Sequence, residues 1–411
     1  MNILFVHQNF PGQYLHLAPA LGADPANRVL AMGTRTGVSL PNVEILVYRI
    51  KRKPSREVHP WLAEQEVKVI RGEAVARAGM QLRSQGFSPD VICVHPGWGE
   101  ALFLRDVWPD SKIICFCEFY YQARGSDVGF DPEFSSGRQD EDLCRLRMKN
   151  AHNLISLNAS DTGLSPTIWQ RDQYPDEYRE RISVIFDGIN TELACPRDGA
   201  SINLKRDNLT LTSKDQVVTF VARNLEPYRG FHIFMRALPD IMLRNPKARI
   251  LIIGNDDVSY GRRPPQGQTF RSMLLDEVGR DLDMKRVHFV GRVPYPVFLD
   301  VLRISSAHVY LTYPFVLSWS MLEAMSAECI VIGSDTAPVR EVIEHERNGL
   351  LVDFFDVKGL AETVTDVLEN HKQYEQLRKS ARKTIIEKYD LKNICLPRQM
   401  ELVNSLAGYT D

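Results

Sequence analysis

The sequence has almost no excess charge of either sign: 50 Lys and Arg stand against 52 Asp and Glu, a net of −2 over 411 residues. A general electrostatic grip on nucleic acid or on an anionic membrane is therefore not implied. Any anion that binds must be held by a few placed groups. Cysteine is sparse, seven in all, with no Cys-x-x-Cys pair. Cys115 and Cys117 are the closest two, and the expectation is a reduced, cytoplasmic chain. A basic then apolar leader is lacking, and the first residues open directly into a strand pattern. The stretch 304–322 has no Asp, Glu, Lys or Arg, yet it holds His308, Pro314 and four serines. That is a poor membrane span and reads as a buried strand, a turn and the start of a buried helix. Also missing are repeats, low-complexity tracts, a Gly-x-Gly-x-x-Gly fingerprint, a Gly-x-Gly-Lys-Ser/Thr phosphate loop, a Gly-x-Ser-x-Gly elbow and zinc-spaced His and Cys.

What the chain does have is the composition of a folded protein, 44% hydrophobic and 25% charged, which excludes wholesale disorder. At about 150 residues per domain it has room for two large or three small domains. Apolar runs recur at 2–7, 28–33, 44–50, 91–95, 112–118, 154–158 and 182–187, with helical periods between them, clearest at 60–85 and 140–152. Ser165-Pro166 reads as a helix start, a hydroxyl cap followed by proline. A second series of runs follows at 217–223, 248–254, 287–291, 308–313, 330–335 and 350–354, separated by helical segments at 230–244, 297–304 and 321–327. Periodicity fades between Asn190 and Asp215, and after Asp356 the pattern is helical, with breaks near Asn370 and Tyr389-Asp390. Strand–helix alternation with continuous apolar strands predicts an α/β architecture of two Rossmann-like domains with parallel sheets, facing each other across a cleft. Ligands would bind at the carboxyl ends of the strands.

Several polar residues fall at those ends. Gly12 follows the first strand and opens a helix, where backbone N–H groups can approach an anion; a tight turn alone would also require it. His95 and Glu118 each end a strand, and either could accept a proton or face a sugar. His95 could equally serve only to bind loop backbone, whereas Glu118 sits beside Phe119, Tyr120 and Tyr121. Arg223 and Arg229 flank a strand–helix junction closed by Gly230, and their planar forks suit phosphate oxygens. Glu323 lies among Met, Leu and Ala, where burying a carboxylate demands a partner, either a ligand diol or a core salt bridge. Residues 254–268 make a long Gly- and Pro-rich stretch that reads as a lid. Asp140-Glu141-Asp142 and Asp281-Leu282-Asp283 have acidic spacing, but in polar helical surroundings they read as solvated faces rather than a metal site.

Phe186-Asp187-Gly188-Ile189-Asn190-Thr191, Ala222-Arg223 with Arg229-Gly230, Leu322-Glu323-Ala324-Met325, Ser334-Asp335 with Arg340-Glu341-Val342-Ile343, and Asn348-Gly349-Leu350-Leu351-Val352 occur in that order. In order and spacing the chain resembles the retaining glycosyltransferases of family 4, which have the GT-B fold. The resemblance implies a donor domain at 193–387, an acceptor-side domain at 1–192 and a helix at 388–411 crossing back to the first. It implies that Arg223 and Arg229 hold a nucleotide diphosphate and stabilise it as leaving group, with Gly12 adding backbone donors. Glu323 would bind the ribose, backbone near Val293 the base, and N–H groups around Ser318, Trp319 and Ser320 the sugar and phosphate. The chain departs from the family in two places: Phe315 stands where the first Glu of its Glu-x7-Glu pattern belongs, and Glu118 stands near the place of a His, whose role would fall to Glu118, to His95 or to the leaving phosphate.

The implied reaction is a metal-independent, cofactor-free transfer of a hexose-type sugar from a nucleotide diphosphate sugar, with UDP-sugar the favoured donor and GDP- and ADP-sugars left open, to a saccharide or lipid-linked saccharide. No nucleic-acid partner is expected, transient contact with the inner face of the membrane is plausible, and the oligomeric state is open. An epimerase or hydrolase of the same fold, or a silent nucleotide-sugar-binding partner, are the alternatives.

Overall fold

The computed structural model describes residues 1–135, 139–204 and 208–408, without the side chains of residues 139 and 140. The chain separates into two compact units. The first takes Met1–Gly129, Ser136–Gly188 and Lys392–Asp411; the second takes Phe130–Ser135 and Ile189–Leu391.

Seven parallel strands form the first sheet: β1 Asn2–Val6, β2 Arg28–Gly33, β3 Glu44–Val47, β4 Val91–Val94, β5 Lys112–Phe116, β6 Thr162–Ser165 and β7 Ile182–Val184, in the order β3-β2-β1-β4-β5-β6-β7. Strand β1 shows why the apolar runs are unbroken. Its Leu4 and Val6 enter the core on one face, while Ile3 and Phe5 enter the core on the other. The helix Leu396–Leu406 completes the second of these cores, burying Val403 beside Phe5 and Tyr14. Gln399 Nε2 donates to the Phe186 carbonyl at 2.9 Å, so the end of the chain returns to the first unit as expected.

In the second unit a two-stranded antiparallel pair, β8 Ser201–Leu204 and β9 Leu209–Thr212, precedes the main sheet. That sheet comprises β10 Val217–Asn224, β11 Arg249–Asn255, β12 Val287–Gly291, β13 Ala307–Tyr310, β14 Val331–Ser334 and β15 Leu350–Val352, ordered β12-β11-β10-β13-β14-β15 and parallel throughout. Each main sheet reverses its order beside its first strand, between β1 and β4 and between β10 and β13, which is where doubly wound sheets open a crevice. The segment Phe130–Ser135 is embedded in the second unit. Phe130 packs tilted against Tyr313 and edge-on against Phe354, at 5.1 and 5.2 Å, and Phe134 lies 5.7 Å from Phe270.

Three expectations are corrected. Residues 154–158 are the end of the helix Gln139–Ala159, and the strand is Thr162–Ser165; a short apolar run fits either period, and Ile155, 54% exposed, lies on the helix's wet side. Ser165 ends β6 rather than capping a helix; Thr167 is the cap, its Oγ1 accepting the Gln170 N–H at 3.1 Å. The stretch 190–215 is not featureless, since it carries β8 and β9.

Candidate functional site

In the first unit three strand ends bring polar groups together. His7 follows β1, His95 follows β4 and Glu118 follows β5. The His7 Nδ1 accepts the Asn9 N–H at 3.0 Å, so a neutral ring carries its proton on Nε2 and gives it to Gln13 Oε1 at 2.9 Å. Gln13 Nε2 in turn donates to Glu118 Oε1 at 2.9 Å. The His95 Nδ1 likewise accepts the Gly97 N–H at 3.1 Å, and its Nε2 lies 3.3 Å from Glu118 Oε2. One carboxylate is thus approached by two imidazoles, one directly and one through an amide. Burial, reinforced by the neighbouring His95, pulls the His7 pKa down to about 3, so this ring stays neutral. Stacking fixes His95 between Trp98, 4.5 Å away, and Phe116, 5.5 Å away. Glu118 keeps 36% of its side chain exposed and is the wet member of the group. Gly12 has φ +50°, and a Cβ there would fall 2.5 Å from the His7 ring, so the turn next to this network requires glycine.

The second unit gathers a different set. Gly230, at φ +66°, joins the turn Pro227–Arg229 to the helix Phe231–Arg244; a Cβ there would meet Leu311 Cβ at 2.3 Å. Arg229 is 8% exposed, and its guanidinium donates to Thr312 Oγ1 and the Val316 carbonyl at 2.9 Å each and to the Tyr310 hydroxyl at 3.3 Å. These are neutral acceptors, and Arg229 forms no ion pair among the described residues. Its acidic neighbour is Glu226, which acts at longer range and makes no salt bridge to it, so the charge can still take an anion. Tyr260 and Phe315 place ring faces 5.5 and 5.8 Å from that guanidinium. Arg223, by contrast, is exposed and makes no hydrogen bond or ion pair among the described residues.

Glu323 sits in the helix Trp319–Ser326, 8% exposed. Its partner is not a cation: Tyr295 donates its hydroxyl to Oε1 at 2.8 Å. Burial pushes the Glu323 carboxyl up, and the tyrosine pulls it partly back. Ser318 caps the same helix, accepting the Ser320 N–H at 3.3 Å while its own N–H goes to the Tyr310 hydroxyl at 2.8 Å. Trp319 is 40% exposed. Val293, half-buried between exposed Arg292 and Pro294, follows β12 and lies two residues before Tyr295. Residues 259–261 of the expected lid are pinned by Glu226, whose carboxylate accepts the N–H groups of Ser259, Tyr260 and Gly261 at 3.1 to 3.3 Å.

Asp131, Glu133 and His232 also converge, with one potential ligand atom from each within 4.8 Å of the others. Most of their polar atoms are already engaged: Asp131 Oδ2 accepts from the Tyr313 hydroxyl at 2.7 Å and faces His232 Nε2 at 3.0 Å, and Glu133 pairs bidentately with Arg236, whereas His232 Nδ1 is buried without a partner among the described residues. Of the two acidic tracts, Asp142 pairs with Arg145 and Asp283 with Arg286, while the side chain of Asp140 lies outside the described residues.

Residues 25–194 match the model of the glycosyl transferase family 4 group, and residues 201–384 match that of the glycosyl transferases group 1. The chain belongs to the GT-B glycosyltransferases of the family 4 type. It is 22% identical over 378 residues to D-inositol 3-phosphate glycosyltransferase of Corynebacterium glutamicum, covering 86% of this chain and 85% of that one. Spore coat protein SA of Bacillus subtilis is 28% identical over 218 residues, 50% of this chain and 54% of its own. Among solved structures, sucrose-phosphate synthase from Thermosynechococcus elongatus matches with a TM-score of 0.72 at 17% identity over 100% of both chains. Anabaena HepE in complex with UDP-glucose matches at 0.69 and 15% identity, over 98% of this chain and 99% of that one.

Within the glycosyltransferase, His95 and Glu118 meet in the first unit. Arg229 packs against the segment that carries Tyr310, Phe315 and Ser318, while Glu323 is bonded to Tyr295, two residues after Val293. Sequence reasoning missed His7, Gln13, Tyr295 and Glu226. His7 and Gln13 flank Gly12 in a stretch already singled out, so the strand-end rule could have found them. Tyr295 and Glu323 are 28 residues apart and carry no shared pattern. Among the described residues, no helix is long and apolar enough to cross a membrane.

Proposed function

We propose that this glycosyltransferase moves a hexose-type sugar from UDP-sugar to a hydroxyl of a saccharide or lipid-linked saccharide, with retention and without a metal. The observation that carries the reading is Arg229, a buried guanidinium whose hydrogen-bond partners are all neutral, with exposed Arg223 near the end of the strand that leads into its turn. Two cations so placed would hold a diphosphate and stabilise it as it departs, work that a metal performs in other transferases. Glu323, steered by Tyr295, would accept the ribose hydroxyls, and backbone near Val293 would meet the base. Gly12 would add N–H donors, and the helix start at Ser318, Trp319 and Ser320 would face sugar and phosphate. The UDP-glucose complex of HepE supports a uridine donor. On the acceptor side, Glu118 with His95 would orient the attacking hydroxyl, its proton passing to the departing diphosphate on the same face of the sugar. Phe315 gives donor-sugar contact an aromatic face where a carboxylate is expected. Lys68 donates to the Gly97 carbonyl, and burial lowers its pKa to about 8; an acceptor bearing an anionic group would find a cation there.

Arg223→Ala is the test. The residue is exposed, so the variant should melt like wild type while kcat falls on the order of 10²- to 10³-fold. A kcat near normal would overturn the assignment. UDP-sugars supplied with and without acceptor alcohols separate transfer from hydrolysis or epimerisation by product. Tight UDP-sugar binding without acceptor-dependent UDP release would mark a silent binding partner.

A further inference from the structure

The chain-wide net charge conceals a local concentration. Five of the eight residues from Arg49 to Arg56 are Lys or Arg, and none is acidic. The segment follows β3, an edge strand of the first sheet, and residues 49–57 are all exposed. It runs antiparallel to the helix Ala63–Ser84: Arg52 Nε lies 3.7 Å from Glu73 Oε2, and the Ser55 N–H donates to Glu66 Oε2 at 2.8 Å. Between β3 with its extension and this helix lies a groove with a cavity volume of about 570 Å³. Its floor is apolar, with Leu46, Ile70 and Leu82, and its rim carries Arg49, Lys51, Arg52 and Arg77 against the single acid Glu73. Val47, 37% exposed, lines it, and Ile50, 41% exposed, stands between two of the cations.

An apolar trough under a cationic rim is complementary to an amphiphile with an anionic head. We propose that this groove docks anionic phospholipid head groups at a membrane surface, the phosphates meeting the rim and the glycerol and first methylenes the floor. Desolvating exposed Val47 and Ile50 supplies the apolar half, and attraction of the basic run to anionic lipid supplies the other. Neither half suffices alone: a purely basic patch would take any polyanion, and a purely apolar one would take neutral lipid as readily. The groove's lining includes neither Glu118 nor His95.

Co-sedimentation of the full chain with vesicles tests this. The expectation is partition onto phosphatidylcholine vesicles containing phosphatidylglycerol, little onto phosphatidylcholine alone, and a steep loss as salt is raised past the screening range. The exposed triple variant R49Q/K51Q/R52Q should melt like wild type and bind phosphatidylglycerol vesicles about 10²-fold more weakly, at roughly a factor of five per basic residue. Ala78→Trp, which fills the groove without changing charge, should also weaken binding. Equal binding to both vesicle types, an unchanged triple variant, or displacement by nucleic acid with Ala78→Trp indistinguishable from wild type would each overturn the proposal.

Discussion

Removing one oxygen from Tyr295 should move the pH at which this enzyme binds its donor. Tyr295 donates to Glu323 Oε1 at 2.8 Å, and Glu323 is nearly buried, with burial raising its carboxyl. In the proposed role the ionised carboxylate accepts the ribose hydroxyls, so donor affinity climbs as pH rises through the Glu323 pKa. Tyr295→Phe withdraws a hydrogen bond to a charged group, worth about 1.5–3 kcal/mol, which corresponds to roughly one to two pH units further upward. Between the old and new limbs the donor KM should rise about tenfold or more; above both, the two enzymes should converge, with kcat at saturating donor unchanged throughout. The same shift has a stability sign. A carboxyl raised on folding favours the folded state at low pH, an advantage lost as pH climbs through the folded value, so Tyr295→Phe should soften further toward alkaline pH. Donor KM read from UDP release at a series of pH values decides the matter. Superimposable profiles for the two enzymes, or normal donor affinity at every pH in Glu323→Gln, would refute the reasoning.

Further outcomes follow from the geometry. Gly230→Ala puts a Cβ against Leu311 at a positive φ and should cost at least about 1–2 kcal/mol, seen as a drop of several degrees in thermal melting. Glu118→Gln should lower kcat about 10²-fold or more at nearly constant donor KM, and Gln13→Ala, which releases Glu118 Oε1 and strips the buried His7 Nε2 of its acceptor, should fall between it and wild type in steady-state assays. Hydrogen bonds from His232 and Tyr313 outweigh burial and hold the Asp131 carboxyl below its usual range. Its stabilisation is thus present near neutrality and lost as pH falls through that lowered value. Asp131→Ala should cost about 2–5 kcal/mol by orphaning two buried donors and should flatten the acid limb of denaturant stability. EDTA should leave the rate of UDP release unchanged.

The alternation of apolar runs made both sheets legible, because strands buried on two faces, like β1 with Ile3, Leu4, Phe5 and Val6, leave an unbroken hydrophobic trace. The strand-end rule pointed to His95 and Glu118, which follow β4 and β5 within two residues, and to Arg229 in the turn beyond β10. It could not find what holds them. The bond from Gln13 to Glu118 spans 105 residues and that from Tyr313 to Asp131 spans 182, and polar pairs at such separations impress no period on either segment. The core salt bridge considered for Glu323 gave way to a tyrosine hydroxyl for the same reason. Averaging charge over the chain also hid the basic run at 49–56, because acids elsewhere cancel it.

The interleaving of the two units has a consequence for how the chain comes into being. Unit one is assembled from three stretches, the last beginning at Lys392, and its core includes Val403 beside Phe5 and Tyr14. Ribosomes make that stretch only after residues 189–391, so a nascent first unit must wait, one face of its sheet uncovered, while they are synthesised. Expression of residues 1–188 alone would fix the protein in that unfinished state. A separately supplied peptide carrying Leu396–Leu406 is the piece that would close it.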